Sequence, residues 1–247
     1  MFRLIPLAAA LFALCLGFSQ SHAAPILDFA GQSWLVRTYG GGPGPNEWSG
    51  DNVSVDASGL HLRIAKNGGK WSAAEVFLLG DPLGFGTYQF VVEGPLAALD
   101  RNVVLGLFNY PGSPDVGPDG SNEIDIEIAQ WGQAKNPNRL NWTVHPPTVG
   151  PEPTHKSVPL KGDGDLWTLS FTWSAEGVHY SVASGDATTG DSVPLAEWND
   201  APKSPQTRIP QQPLVIHMNL WLLDGKPPHD GKPVEVTVRA FLYTPPA

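Results

Sequence analysis

Positions 123–127 of the sequence, Glu-Ile-Asp-Ile-Glu, alternate three carboxylic acids with two isoleucines. A period of two is typical of a β-strand, so we expect Ile124 and Ile126 on one face and Glu123, Asp125 and Glu127 on the other. Neighbouring carboxylates disfavour one another's ionisation. Three carboxylates on one face of a strand are therefore unfavourable, and a chemical function would explain why they occur together.

Glycoside hydrolysis is a chemistry that needs two carboxyl groups at a controlled separation, one to attack or activate water and one to protonate the leaving oxygen. In a flat strand the backbones of Glu123 and Glu127 lie about 13 Å apart, so the strand must curve and the side chains must lean together. Asp125 could share a proton with Glu123, and the crowding could keep one carboxyl protonated near neutral pH. Two alternatives remain at this point: an ordinary solvated strand face, or a Ca²⁺ site.

Two other segments, 140–145 and 216–222, alternate in the same way and predict strands with one polar or aromatic face. If all three strands belong to one curved sheet, that face is a lined groove. The side chains predicted to face it are Asn141, Thr143, His145, His217, Asn219 and Trp221. Those predicted to face the core are Leu140, Trp142, Val144, Ile216, Met218, Leu220 and Leu222.

The rest of the chain is punctuated by 27 Gly and 25 Pro residues, which separate short apolar or alternating segments and favour an antiparallel sandwich or barrel. The predicted strands are 33–37, 52–56, 59–65, 72–79, 86–93, 103–109, 122–130, 139–145, 166–173, 177–183, 213–223 and 234–243. Short helical turns are predicted at 96–100 and 195–198, and loops at 110–121, 146–155 and 199–213. Trp34, Trp142, Trp167 and Trp173 alternate with polar residues and are predicted to be core residues.

The first 23 residues carry Arg3, an apolar stretch and small residues at the end, which predicts a secretory signal peptide cleaved after Ala23. Cys15 lies in this segment, and a lipoprotein anchor there is disfavoured because Leu14 precedes it. We therefore expect one domain, 24–247, in a secreted or periplasmic protein. The formal net charge of −9 disfavours nucleic acid and anionic membranes as partners and suits a neutral ligand.

The acidic segment, with a Gly- and Pro-rich loop before it and an aromatic residue after it, resembles the catalytic signature of glycoside hydrolase family 16, which includes licheninases and laminarinases. Segments 59–64, 73–90, 165–182 and 216–222 follow in the order and rough spacing of that family's strands, so the resemblance covers about residues 30–243. It implies a β-jelly-roll sandwich of two antiparallel sheets, with a glycan cleft on the concave sheet and retention of anomeric configuration.

The resemblance also implies roles. Glu123 would be the nucleophile, Asp125 its helper and Glu127 the acid/base, and the positions that would contact sugar are Asn46, Glu75, His145, Asn219 and Trp221. Two departures from the family pattern affect the substrate. Phe77 stands where many licheninases have a polar or basic residue, and Trp131 follows the acids at the end of a longer turn and is a further candidate for stacking on sugar.

From these residues we expect a monomeric, endo-acting β-glucan hydrolase that uses no cofactor and no metal and takes a polysaccharide or oligosaccharide as its substrate. The histidines lack the close spacing of metal ligands. Two alternatives use the same groove: glycosyl transfer to another sugar, and a jelly-roll lectin that binds glycan without cutting it. The three acids argue against the lectin, since a binding protein has no use for mutually repelling carboxylates.

Overall fold

The computed structural model describes residues 24–162 and 164–246. The predicted signal peptide and Cys15 lie outside the described residues. Almost all regular structure in the described part is β-strand, as the alternating sequence pattern predicts. The strands are Ile26–Phe29 (β1), Gln32–Val36 (β2), Val53–Asp56 (β3), Gly59–Asn67 (β4), Lys70–Ser72 (β5), Ala74–Leu78 (β6), Gly86–Glu93 (β7), Val103–Tyr110 (β8), Glu123–Ile128 (β9), Asn138–His145 (β10), Thr154–Pro159 (β11), Leu166–Ser174 (β12), Gly177–Asp186 (β13), Asp191–Asp200 (β14), Val215–Leu222 (β15) and Val234–Thr244 (β16).

Helical structure in the described ranges is limited to short segments. A single α-helical turn, α1, spans Pro205–Arg208, and 3₁₀ turns span Gly50–Asn52, Leu96–Ala98 and Leu223–Gly225. No helix in the described part of the chain is long and apolar enough to cross a membrane.

The strands form two antiparallel sheets packed face to face. The cleft sheet has the order β1-β2-β6-β15-β8-β9-β10-β11, and the outer sheet has the order β14-β13-β12-β7-β16-β4-β3, with β5 paired to β4. Strands distant in sequence are neighbours in both sheets, which is the crossing connectivity of a jelly roll. The predicted all-β jelly-roll sandwich is confirmed.

The core between the sheets is built from the inward-facing residues of both. Trp34, Trp142, Trp167 and Trp173 are each at most 1% exposed, so all four tryptophans predicted for the core are core residues. Trp142 of the cleft sheet stacks on Tyr180 of the outer sheet, with ring centroids 5.7 Å apart. Aromatic contacts of this kind fix the distance between the sheets beneath the cleft.

Three local predictions were wrong. Residues 195–198 are not a helical turn but part of β14, which pairs with β13 at the edge of the outer sheet. An edge position tolerates Pro194, which supplies no ladder N–H, and Trp198 stacks on Tyr180 at 5.5 Å. Strand β11 begins at the end of the predicted loop 146–155, α1 lies within the predicted loop 199–213, and the sequence pattern does not predict β1 and β5. In each case pairing with the strand next to it in sequence, or local turn geometry, outweighed the local composition.

Candidate active site

Strand β9 lies in the middle of the cleft sheet, between β8 and β10. Ile124 and Ile126 are fully buried in the core, so Glu123, Asp125 and Glu127 all point to the opposite face. This confirms the orientation predicted from the alternating pattern. The acids are held there by a fully paired strand, because β9 is bonded to neighbours on both sides.

The surroundings of the three acids favour their protonated forms. Burial raises the pKa of Glu123 to about 7, and the negative charges of Asp119 and Glu75 act in the same direction. Burial, together with the charge of Glu123, raises the pKa of Glu127 to about 8. Burial and the two flanking glutamates raise the pKa of Asp125 well above its usual range. At least one of the three carboxyl groups therefore holds a proton near neutral pH.

Asp125 and Glu123 are linked by a hydrogen bond that lowers the pKa of Glu123 and raises that of Asp125. In such a pair the proton stays on the more buried group, and only 5% of Asp125 is exposed. Asp125 therefore donates to Glu123 and stabilises its carboxylate form. Glu127 lacks this donor, and of the two glutamates it is the one that ionises at higher pH.

His145 lies opposite Glu123 on β10. Its Nε2 is 3.6 Å from Oδ2 of Asp125 and 3.9 Å from Oε2 of Glu123. Burial lowers the pKa of His145 despite the nearby acids, so the ring is neutral at neutral pH. A neutral ring can exchange hydrogen bonds with the acids or a ligand without forming a permanent ion pair.

Donor atoms of Glu123, Asp125 and His145 lie within 4.8 Å of one another, a spacing that could hold a metal ion. The protonation of these side chains is unfavourable for metal binding. A hard cation needs ionised carboxylates, whereas burial makes both acids hold protons more tightly than usual. The cluster is therefore better suited to holding and transferring protons than to binding a cation.

A cleft of about 900 Å³ lies over the acids and reaches across β10, β9, β8, β15 and β6. Five adjacent strands span about 19 Å from the first to the last, which is long enough for several linked sugar rings. His145, Glu75, Asn219 and Trp221 line this cleft together with the three acids. A second, shallower depression of about 440 Å³ next to Phe241 has no comparable group of acids.

Segment 111–120, predicted as a loop, contributes part of one wall of the cleft. The hydroxyl of Tyr110 donates to Oδ1 of Asp119 at 2.6 Å. The backbone of Gly120 is hydrogen-bonded to His145. These contacts hold Asp119 close enough to Glu123 to raise its pKa, a role that the sequence did not suggest.

Asn219 is 2% exposed, and its Oδ1 has no hydrogen-bond partner among the described residues. Its side chain lies over Gly106 of β8, where an added Cβ would collide with that oxygen. Gly106 pairs with Glu127 on its other side. Because Gly106 has no side chain, the side chain of Asn219 can extend towards the acids. Its Oδ1 could then accept a hydrogen bond from a ligand.

Glu75 lies in the cleft but is already engaged. Arg37 Nη1 donates to Oε2 of Glu75 at 2.7 Å, and Nδ1 of His217 lies 2.9 Å from Oε1. Arg37 also stacks on Trp48, with its guanidinium 4.3 Å from the ring centroid. Both carboxylate oxygens are thus held by protein groups. The alternation of the sequence predicts that His217 faces the cleft but suggests no role for it, and the sequence pattern does not single out Arg37.

Asn46, a predicted sugar contact, has its amide group occupied by the protein itself. Asn46 is buried and clamps the end of β15, accepting from the N–H of Leu222 and donating to the carbonyls of Leu222 and Pro43. It does not line the cleft. The sequence suggested a polar contact but could not show that its amide is used 176 residues along the chain.

Trp131 and Trp221 differ in their access to the cleft. Trp221 lines it but is only 7% exposed, and it packs with Trp48, Val104 and Ala129 in a small cluster below the cleft. Trp131 packs against that cluster, 6.4 Å from Trp221 between ring centroids, and is not among the residues that line the cleft. Trp131 therefore supports Trp221 rather than presenting a face to the cleft.

No protein-family model and no curated protein sequence matches the chain. Solved structures do. The β-glucanase of Bacillus licheniformis is 21% identical with a TM-score of 0.62, covering 92% of this chain and 100% of its own. A GH16 protein from the Bacteroides ovatus mixed-linkage glucan locus, in complex with the product G4G4G3G, is 15% identical with a TM-score of 0.65, covering 90% of this chain and 98% of its own.

A third similar structure is the laminarinase of Flavobacterium sp. UMI-01, which is 14% identical with a TM-score of 0.64 and matches 85% of this chain and 92% of its own. These matches extend over nearly the whole length of both partners, so the likeness concerns the complete sandwich. At such low sequence identity the matches are evidence of the fold alone. They show that the chain has the jelly-roll fold of the family 16 glycoside hydrolases.

Proposed function

We propose that the protein is an endo-acting β-glucan hydrolase that cleaves with retention by double displacement. The observation that carries the proposal is the placement of Glu123 and Glu127 on one face of β9, with the more buried Asp125 between them, on the floor of an elongated cleft. The fold shared with glucanases, one of them in complex with a glucan product, supports the same substrate class.

In the first step Glu123 attacks the anomeric carbon while Glu127 protonates the departing oxygen. Asp125 supports this step by donating a hydrogen bond to Glu123, which keeps the nucleophile ionised in a buried site. Glu127, whose pKa is raised to about 8, holds the proton that the leaving group needs. In the second step Glu127 acts as a base towards water, which releases the glycosyl group from Glu123.

An endo mode of action is supported by the shape of the cleft. It crosses five strands, and the acids lie on one of its inner strands, β9. A chain that crosses the cleft can be cut away from its ends. Export is supported by the predicted signal peptide, and a mass that corresponds to a chain beginning at Ala24, measured on protein recovered outside the cytoplasm, would test it.

The decisive experiment measures release of reducing ends from a panel that includes mixed-linkage β-glucan, laminarin and non-glucan polysaccharides. Wild type is compared with Glu123→Gln and Glu127→Gln, and Glu197→Gln on exposed β14 serves as a matched control. We expect release by wild type and the control only, with ¹H NMR showing the β-anomer as the first product.

Other outcomes would replace the proposal. Binding of a glucan without release of reducing ends would indicate a lectin. Formation of products longer than the substrate, with few new reducing ends, would indicate a transglycosylase. An α-anomer as the first product would indicate single displacement and remove Glu123 from the nucleophile's role.

A further inference from the structure

His217 sits at the centre of an aromatic stack on the cleft face. Its ring lies between Phe77 and Phe108, 5.2 and 5.0 Å away between centroids and tilted by 23° and 26°. Tyr110 meets it edge-on at 5.8 Å. Because neighbouring strands β6, β15 and β8 supply the three stacked rings, both faces of the imidazole are covered and only its edge is open to the cleft.

The proton on this imidazole is placed by Glu75. Nδ1 lies 2.9 Å from Oε1 of the Glu75 carboxylate, which is also salt-bridged to Arg37. A carboxylate accepts hydrogen bonds, so Nδ1 of His217 carries the proton and donates it. In the neutral ring this leaves the lone pair on Nε2, which has no hydrogen-bond partner among the described residues.

A second acceptor without a partner lies on the same strand. Oδ1 of Asn219 is buried, lines the same cleft and has no partner in the described part of the chain. Residues i and i+2 of a strand share a face and lie about 6.6 Å apart. His217 and Asn219 thus present two acceptors at a spacing comparable to that of hydroxyls on one sugar ring or on two linked rings.

We propose that His217 is a specificity-determining residue that accepts a hydrogen bond through Nε2 from a hydroxyl of a neutral sugar, and that Glu75 is a positioning residue that fixes the tautomer of His217. This inference rests on the proposed function and deepens it by naming the feature of the substrate that is recognised. It also reassigns Glu75, because both of its oxygens are already engaged by Arg37 and His217. The ligand class is an uncharged glycan with a free hydroxyl facing β15.

The test is a cycle that combines changes in protein and substrate. A short β-glucan oligosaccharide and its monodeoxy analogues are assayed with wild type and with His217→Phe, which extends the aromatic stack but removes Nε2. With wild type we expect one analogue to lose about 10-fold in kcat/KM, which is about 1.4 kcal/mol. With His217→Phe the same analogue and its parent should react at equal rates.

Two further variants serve as a replacement and as a control for His217→Phe. His217→Leu, which also lacks a hydrogen-bond acceptor, repeats the test if the phenylalanine variant fails to fold. His179→Phe, on β13 of the outer sheet, is the matched control that should leave discrimination unchanged. Equal discrimination among the analogues by wild type and both His217 variants would overturn the proposal. So would tighter binding of a sulfated or carboxylated glycan than of its neutral parent, lost in His217→Phe, since it would show that His217 acts as a cation.

The role of Glu75 is tested by Glu75→Leu with two measurements. A residue that is only structural would not change both of them in the expected way. We expect KM to rise about 10-fold with little change in kcat, and the ¹⁵N imidazole signals of His217 to show loss of the Nδ1–H tautomer. An unchanged tautomer would overturn the assignment of Glu75 as a positioning residue.

Failure of the proposed function is distinguishable from failure of this inference. If no polysaccharide is cleaved, the proposed function fails, and the same deoxy series is then compared by calorimetric binding to wild type and His217→Phe. A hydroxyl whose removal weakens binding to wild type alone would still support His217 as its acceptor.

Discussion

Replacing Glu127 with Gln should make the fold more stable at alkaline pH than the wild type. Glu127 is a partly buried carboxyl whose pKa is raised to about 8 by burial and by the charge of Glu123. An acid whose folded pKa lies above its unfolded value stabilises the fold only while it is protonated. Its contribution is fully present below the unfolded pKa of 4.5 and is lost as the pH rises through about 8.

The size of the effect follows from the shift. Raising the pKa from 4.5 to about 8 corresponds to about 3 to 5 kcal/mol of stability lost by wild type between pH 4 and pH 9. Gln has nearly the same shape and no ionisable proton, so the variant avoids this loss. If Glu127 is the acid of the proposed mechanism, its carboxyl group is kept for activity at a cost in stability at high pH.

Urea unfolding followed by tryptophan fluorescence at pH 5, 7 and 9 would measure the difference. We expect the free energies of unfolding of wild type and Glu127→Gln to diverge as the pH rises, with the variant more stable at pH 9. Glu197→Gln, on the exposed edge strand β14, should follow wild type at every pH. Parallel curves for wild type and Glu127→Gln would refute the argument that the site holds a proton on Glu127.

The remaining predictions concern catalysis and packing. Because the proposed mechanism needs Glu123 ionised and Glu127 protonated, kcat/KM should be highest between about pH 7 and 8 and fall on both sides; Asp119→Asn should move the acid limb to lower pH, and an unmoved limb would contradict the influence of Asp119 on Glu123. With an activated aryl glycoside, azide should rescue Glu127→Ala and give a glycosyl azide of retained configuration, and should give the inverted product with Glu123→Ala; product NMR that shows the opposite pairing would exchange the two roles. Trp221→Ala should lower the free energy of unfolding by about 3 to 5 kcal/mol, because the side chain is only 7% exposed and packs on Val104 and Ala129; a loss under about 1 kcal/mol in urea unfolding would show that it is mainly a cleft residue.

Features that depend on local alternation were available in the sequence. The period of two placed Ile124 and Ile126 in the core and the three acids in the cleft, since a strand fixes the facing of every second residue whatever its partners are. The same rule put His217 and Asn219 on the cleft face. The direction of its side chain does not by itself suggest a role for His217, because that role depends on groups from other strands.

The sequence by itself determined an all-β chain with a strand of acids opposite a hydrophobic face, because alternation and turn residues act over a few positions. Only the tertiary structure decided which groups meet. Arg37, Glu75 and His217 are brought together across 38 and 142 residues of chain, and Asn46 is committed to β15 across 176. Contacts at such separations are set by the order of strands in the sheets, a property of the whole fold that no local pattern contains.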